Sequence, residues 1–157
     1  DANSLARMAT NCAAQQFEPL YEASSVGVSA SVSSDSSLNG MLGSIATFPW
    51  MDAYTPAQDV YQQAMRQYAP NVVPSAASSA VWTSGQLLAA ASKALSASPT
   101  PAEILSGLYA ISNNNLGGLT EPIMFPSGAD PVVAPCAFYI TLQNGKFVDT
   151  NNGQTRC

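Results

Sequence analysis

The chain holds few side chains that could carry out catalysis. None of its 157 residues is a histidine, which excludes Ser-His-Asp and Cys-His arrangements and every metal site that uses an imidazole ligand. The glycine-rich loops GxGxxG and GxxxxGKS/T that bind nucleotides do not occur, and neither does a Ser-x-x-Lys pair. The sequence therefore indicates no catalytic residue, no metal and no cofactor, and it favours a binding role over an enzyme.

Three cysteines allow at most one bridge within the chain, because three is an odd number. Cys136 begins a predicted strand and Cys157 ends the chain, so a bridge between them would close a loop of about 21 residues and stabilise the tail by roughly 3 kcal/mol. Such a bridge indicates an oxidising compartment. The alternative is three buried, inert thiols. Cys12 lies on the apolar side of a predicted helix and fits a small core residue.

The composition indicates a globular protein of the secreted type. Apolar residues make up 46% and charged residues 10%, and the net charge is −5. The negative charge and the scattered placement of the five basic residues argue against nucleic acid or an anionic membrane as a partner. No apolar run approaches the roughly 20 residues that span a bilayer. The first residues lack the apolar core of a signal peptide and already favour a helix, so we expect that the natural chain starts earlier.

Hydrophobic spacing and capping residues predict four helices. The first begins at a cap on Asn3 or Ser4 and ends near Gln16. Thr55 and Thr100 each precede Pro-Ala and a Gln or Glu, the pattern of a capping box with proline at the first helical position. These two boxes predict helices that run to about Ala69 and Ser112. A longer helix over 78–96 is predicted between them, with Trp82 as a core residue.

The strands are predicted from apolar runs that end at proline, glycine or asparagine. They are an entry over 17–21, a buried strand over 41–48, and strands over 121–125, 136–143 and 146–148. Asn144-Gly145 predicts a two-residue type I′ hairpin turn. Strands that alternate with helices give an α/β fold with parallel pairing and a closing antiparallel hairpin.

The order of these segments resembles the C-terminal part of a known family. Between Trp82 and Val148 the chain reads WTSGQLLAAASKAL, SPTPAEILSGLYAI, NNNLGGLTEPIMF and CAFYITLQNGKFV. This order resembles type I periplasmic binding proteins, the solute-binding proteins of ABC transporters, with the branched-chain amino acid binders as the nearest group. The resemblance extends over residues 5–148 and implies part of a two-lobed architecture built on parallel sheets.

The resemblance also implies how the chain is divided. Residues 1–50 would form a second-lobe segment with the ligand loop and a crossing strand, and residues 119–157 would add the last strands and the hairpin of that lobe. Residues 51–118 would form helices that pack on a first lobe absent from this chain. Large apolar residues of these helices would then lack a sheet to cover, so we expect the chain to be a piece of a longer protein.

The resemblance places a ligand at the loop that follows the first strand. Ser24, Ser25 and Val26 occupy the loop in which the amino acid binders carry a glutamate for the ligand ammonium, and Glu22 comes two or three residues too early unless the loop shifts. Hydroxyls and backbone amides suit a neutral or carboxylate ligand. Trp50 would stack on a ring-shaped ligand from the hinge side. The alternatives are a plain surface loop for the serines and hinge packing for Trp50.

The function implied is an extracytoplasmic protein that captures a small solute for an ABC transporter. The solute would be an amino acid or a related small organic acid or amide, including aromatic ones. Its partners would be the transporter permease and the N-terminal portion of the same protein, where a lipid anchor would make it a cell-surface lipoprotein. One alternative is a ligand-sensing receptor or regulatory domain of the same fold. Another is a secreted interaction protein without a small ligand.

Overall fold

The computed structural model describes residues 1–129 and 135–157. Four strands, β1 (Glu22–Ser24), β2 (Leu42–Ile45), β3 (Phe138–Gln143) and β4 (Lys146–Asp149), form one sheet in the order β1-β2-β3-β4. β1 and β2 are parallel, and the pairs β2–β3 and β3–β4 are antiparallel. The mixed α/β fold with a closing hairpin is therefore confirmed.

The closing hairpin turns at the two residues that the sequence indicates. Asn144 and Gly145 both have positive φ, at 50° and 80°, as a type I′ turn requires. Gln143 pairs with Lys146 directly beside the turn. Along β3 the buried side chains alternate, since Phe138, Ile140 and Leu142 face the core. This alternation fixes the register of the hairpin.

The first helix, α1 (Ala2–Ala14), covers one side of the sheet through Leu5 and Ala9. The predicted cap on Asn3 or Ser4 is wrong, because the carboxylate of Asp1 accepts a hydrogen bond from the Ser4 N–H at 3.0 Å and so starts the helix earlier. The predicted strand entry over 17–21 is also wrong. β1 begins at Glu22, and the backbone contact with β2 reaches back only to Tyr21, whose C=O accepts the Leu42 N–H at 2.9 Å. Pro19 has no N–H to donate to a ladder.

A short helix α2 (Ala30–Ser33) and one 3-10 turn (Ser36–Leu38) connect β1 to β2. They supply Val32 and Leu38 to the core. The serine-rich segment is therefore ordered by local caps: Ser29 and Asp35 each accept a hydrogen bond from a backbone N–H two residues further on.

Three longer helices follow β2: α3 (Pro56–Tyr68), α4 (Ala76–Ala91) and α5 (Pro101–Tyr109). Thr55 and Thr100 cap α3 and α5, each by accepting the N–H of the residue three positions on. Of the two predicted capping boxes, the one at Thr100 is complete, whereas the Gln58 side chain accepts the Tyr54 N–H and not that of Thr55. α4 starts two residues before the prediction, because Ser75 and Ser78 form a capping box. α4 and α5 end before the predicted 96 and 112.

The face of α3 that packs on the core of this chain carries Gln58 and Tyr61 beside the half-buried Met65, and it excludes Val60 and Tyr68. Gln58 and Tyr61 are fully buried, while Val60 keeps 54% of its surface exposed and Tyr68 keeps 78%. Tyr61 makes edge-to-face contacts with Phe48 and with the half-buried Trp82, at ring-centroid distances of 5.0 and 5.7 Å. Trp82 thus packs as predicted.

The predicted strand over 121–125 is wrong, because this segment makes only single bridges. Thr47 pairs with Thr120 and Asn114 pairs with Ile123, both antiparallel. Pro122 lies between the two bridged positions and lacks the N–H that a longer ladder would need.

The tail folds back on β3 and is held by the predicted disulfide between Cys136 and Cys157. Beside the disulfide, the backbones of Ala137 and Arg156 exchange two hydrogen bonds of 2.9 and 2.8 Å. Cys12 remains a half-buried thiol. The alternative of three inert thiols is therefore wrong.

Candidate functional site

The loop that follows β1 leaves the sheet at the carboxyl end of a parallel strand. Ser24 is the last residue of β1, and its C=O accepts the N–H of Gly27 at 2.8 Å, which closes a tight turn. A Cβ at Gly27 would lie 2.8 Å from the Cβ of Ala23, so only glycine fits this turn. Val28 is buried directly afterwards and anchors the loop. Gly27 and Val28 therefore hold Ser25 and Val26 at the carboxyl end of β1.

This loop borders a hollow of about 290 Å³, near the lower end of the range for small-molecule sites. One wall is the end of β1 and its loop, and the other is the first two turns of α1. The lining residues are Asp1, Ser4, Leu5, Met8, Glu22, Ala23, Ser24, Val26 and Gly27. The start of α1 thus lies beside the end of β1.

The hollow combines apolar walls with a few polar groups. Met8 and Val26 supply exposed apolar surface, with Val26 exposed over 74%. Glu22 and Ser24 lie on the same face of β1, because side chains alternate along a strand. The hollow is therefore lined by a carboxylate and a hydroxyl together with apolar side chains, an arrangement that suits a small molecule with a polar head and an apolar body.

Two of the four predicted ligand residues, Ser24 and Val26, line this hollow. Ser25 lies in the same loop but is half-buried and outside the lining. Sequence reasoning did not include the residues of α1, Ser4 and Met8. The signal available for them was the helix–loop–strand order, which returns the start of the helix to the end of the strand.

Trp50 lies away from the hollow. Only 7% of its surface is exposed, its ring packs edge-to-face on Phe147 at 5.8 Å, and its C=O accepts a hydrogen bond from Gln62. Phe147 belongs to β4, which is separated from β1 by three strand spacings, about 14 Å. The structure therefore does not bring Trp50 together with Ser24.

The segments around Thr47 and Leu119 lie side by side and are joined by the antiparallel bridge between Thr47 and Thr120. The Phe48 N–H donates to the Leu119 C=O at 3.0 Å. The buried Gln58 joins both segments, because its amide donates to the Gly118 C=O at 2.9 Å and accepts the Tyr54 N–H at 2.7 Å. These bonds hold the start of α3 against the segment that contains Gly118 and Leu119.

The phenol of Tyr54 lies beside the carboxylates of Asp149 and Asp52. Burial, together with the charges of Asp149 and Asp52, raises the pKa of Tyr54 to about 12. Its ring also lies against the backbone of Gly153, in the tail that the disulfide holds.

Among residues 1–129 and 135–157, no group of three or more Cys, Asp or Glu side chains is placed to hold a metal ion. Within the same residues, no helix is long and apolar enough to cross a membrane.

The fold, a four-stranded mixed sheet with helices and a hollow at the end of a parallel strand, is that of type I periplasmic binding proteins. The family model described as periplasmic binding protein matches residues 2–145. The chain therefore belongs to this family, as the segment order predicted. A search of curated proteins gave no match.

Two solved structures share the fold. One is titled a possible leucine/isoleucine/valine-binding protein from Rhodopirellula baltica, with a TM-score of 0.78 and 18% identity over 94% of this chain and 40% of that one. The other is titled a leucine-binding protein LivK from Thermotoga maritima, with a TM-score of 0.71 and 14% identity over 95% of this chain and 41% of that one. The chain thus spans about two fifths of the length of both.

Proposed function

We propose that the chain is part of an extracytoplasmic solute-binding protein that captures an amino acid, or a related small organic acid or amide, for uptake by an ABC transporter. The observation that carries this proposal is the hollow between α1 and the end of β1. In open α/β folds, ligands bind outside the carboxyl ends of the parallel strands. The family supports the same reading, since its members are described as periplasmic binding proteins.

Glu22 favours an amino acid over a ligand without an amine. Its carboxylate shares the face of β1 with the Ser24 hydroxyl and lines the hollow, so a ligand ammonium can pair with Glu22 while Ser24 bonds a second polar group. The apolar part of the ligand would then lie on Met8 and Val26. Trp50 as a ligand contact stays a prediction, and its burial against Phe147 favours packing of the hairpin.

The exposed apolar faces of α3, α4 and α5 support the presence of a first lobe, outside this chain, in the complete protein. Val60, Leu88 and Leu105 are all exposed over about half of their surface. Burial of each would contribute about 1.5–3 kcal/mol, and exposed apolar patches mark interaction surfaces. We therefore propose that residues 51–118 cover the sheet of a first lobe, while residues 1–50 and 119–157 belong to the second.

An extracytoplasmic location agrees with the disulfide between Cys136 and Cys157, because such bridges persist in oxidising compartments. The transporter permease would be the partner of the complete protein.

The proposal is tested by an NMR titration of the chain with leucine, valine, phenylalanine and the corresponding acids and amides that lack the amine or the carboxylate. We expect saturable shifts at the amides of Ser24 and Val26 and in the first two turns of α1. Glu22→Gln should weaken binding of the amine-containing ligands about tenfold or more, since it removes a charge-assisted hydrogen bond. Glu18→Gln, an exposed carboxylate outside the hollow, is the matched control. Shifts that are absent from this loop for every ligand would contradict the site.

A further inference from the structure

The chain contains three Asn-Gly dipeptides: Asn39-Gly40, Asn144-Gly145 and Asn152-Gly153. Asparagine is a thermolabile residue, most of all before glycine. Glycine has no side chain to hinder attack by its backbone nitrogen on the preceding carboxamide. All three asparagines are exposed, so access to solvent does not distinguish them. The environment of the glycine nitrogen does.

Two of the three glycine nitrogens are held by short hydrogen bonds. The Gly40 N–H donates to the Leu142 C=O at 2.7 Å, and the Gly153 N–H donates to Oδ2 of Asp149 at 2.7 Å. Attack on the preceding carboxamide requires this peptide unit to rotate, which breaks the hydrogen bond first. Rotation at Gly153 is restricted further, because its backbone lies against the ring of Tyr54.

Gly145 is not held in this way. It lies at the tip of the β3–β4 hairpin, and within the described part of the chain neither its N–H nor the Asn144 carboxamide makes a hydrogen bond. The turn is anchored by the Gln143–Lys146 pair and by the Asn144 N–H, which donates to Oδ1 of Asn39 at 2.9 Å. The peptide between Asn144 and Gly145 can therefore rotate when the tip opens locally.

We propose that Asn144 is the site of spontaneous deamidation in this protein. The nitrogen of Gly145 attacks Cγ of Asn144 and forms a new C–N bond. The bond from Cγ to Nδ2 breaks, and ammonia leaves with the proton that the Gly145 nitrogen gives up. Water then opens the five-membered succinimide at either carbonyl, which yields aspartate or isoaspartate. Water is the only co-reactant.

The product changes the hairpin. Each event adds one negative charge to the net charge of −5. Isoaspartate also inserts one carbon atom into the backbone, and a two-residue turn so lengthened cannot keep the Gln143–Lys146 pair in register. β4 is an edge strand whose Phe147 packs on Trp50, so the modification would loosen that contact.

Trypsin offers a direct test because it separates the three sites. Cleavage after the basic residues places Asn39 in peptide 8–66, Asn144 in peptide 94–146 and Asn152 in peptide 147–156. The native chain is incubated in mildly alkaline buffer, then reduced, digested and followed by mass spectrometry. We expect Asn144 to deamidate about fivefold faster than either other site, or more, the factor that corresponds to one further hydrogen bond to break.

The same incubation in urea is the control for local sequence, and there the three rates should converge. Equal rates in the native chain, or faster reaction at Asn39 or Asn152, would overturn the proposal. So would an unchanged preference for Asn144 in urea. Asp149→Ala provides a second check, because it frees the Gly153 nitrogen and should accelerate Asn152. The rate at Asn39 reports on general unfolding, and an unchanged Asn152 rate would contradict the protective role of the hydrogen bond.

Discussion

The ring of Tyr54 lies so close to the backbone of Gly153 that no side chain fits at position 153. This contact joins the segment that follows β2 to the disulfide-held tail. Gly153 also has φ of +68°, a conformation that costs other residues about 1–2 kcal/mol. Position 153 therefore requires glycine for two reasons, the positive φ and the lack of space for a side chain.

Substitution Gly153→Ala should destabilise the protein by about 2–4 kcal/mol, since the backbone strain adds to overpacking against Tyr54. Urea unfolding followed by circular dichroism measures the change. Gly128→Ala is the matched control, because Gly128 has φ of +72° and no atom within 4 Å of an added Cβ. It should cost only about 1–2 kcal/mol. Equal losses for the two variants would show that the contact with Tyr54 contributes nothing.

Tyr54 should also make stability depend on pH in the alkaline range. Burial and the carboxylates of Asp149 and Asp52 raise its pKa from 10.0 to about 12, so the folded state favours the neutral phenol. The contribution is fully present below pH 10 and is lost as the pH rises toward 12. Burial raises the pKa of Tyr61 as well, so Tyr54 accounts for part of the alkaline loss.

Tyr54→Phe keeps the ring on Gly153 but cannot ionise. We expect this variant to lose less stability between pH 10 and 12 than the parent chain in urea melts at each pH. Tyr68→Phe, at a side chain that is 78% exposed, is the control and should follow the parent. Parallel curves for the parent and Tyr54→Phe would exclude this role of Tyr54.

The features that could be predicted from the sequence are set by neighbouring residues. The Thr55 and Thr100 caps and the Asn144-Gly145 turn each depend on a few adjacent residues, so the local pattern decides them. The buried face of α3 could not be predicted in this way. Val60 and Tyr68 are apolar at helical spacing, yet the fully buried side chains of this helix are Gln58 and Tyr61, because tertiary contacts select the face.

The same distinction between local patterns and tertiary contacts applies to the candidate site. The loop position of Ser24 and Val26 is implied by the family resemblance, and both line the hollow. The contribution of α1 depends on how a helix returns to the end of a strand. The burial of Trp50 depends on Phe147, almost one hundred residues further along the chain. No short-range pattern carries that contact.

The fully buried Gln58 should be sensitive to loss of its amide. Gln58→Leu keeps most of the volume but leaves the Tyr54 N–H and the Gly118 C=O without their partner. Each unsatisfied group costs about 1–3 kcal/mol, so we expect a loss of about 2–4 kcal/mol in urea unfolding. Gln63→Leu, at an exposed position of the same helix, should stay within about 0.5 kcal/mol. A similarly small effect at position 58 would mean that water replaces the amide.

The disulfide should stabilise the chain through its tail. Cys136→Ser together with Cys157→Ser opens a loop of sequence separation 21 and should cost about 3 kcal/mol in the chain-entropy model. Urea unfolding with and without a reductant measures this loss, and reductant should not affect the double variant. Cys12→Ser is the control for loss of a thiol. A parent chain that is equally stable in reductant would contradict the role of the bridge.

Substitutions on the apolar face of α4 can test whether this face is an interaction surface and not part of the core. Leu88 is 57% exposed, so Leu88→Gln should change the free energy of unfolding by no more than about 0.5 kcal/mol. If this face covers another lobe, the isolated chain should associate through it, and Leu88→Gln should reduce the associated fraction in sedimentation velocity. Leu119→Gln, at a buried position, should instead cost about 3 kcal/mol or more, because it places an amide without a partner in the core. A parent chain that sediments as a monomer and melts cooperatively would argue against a first lobe on this face.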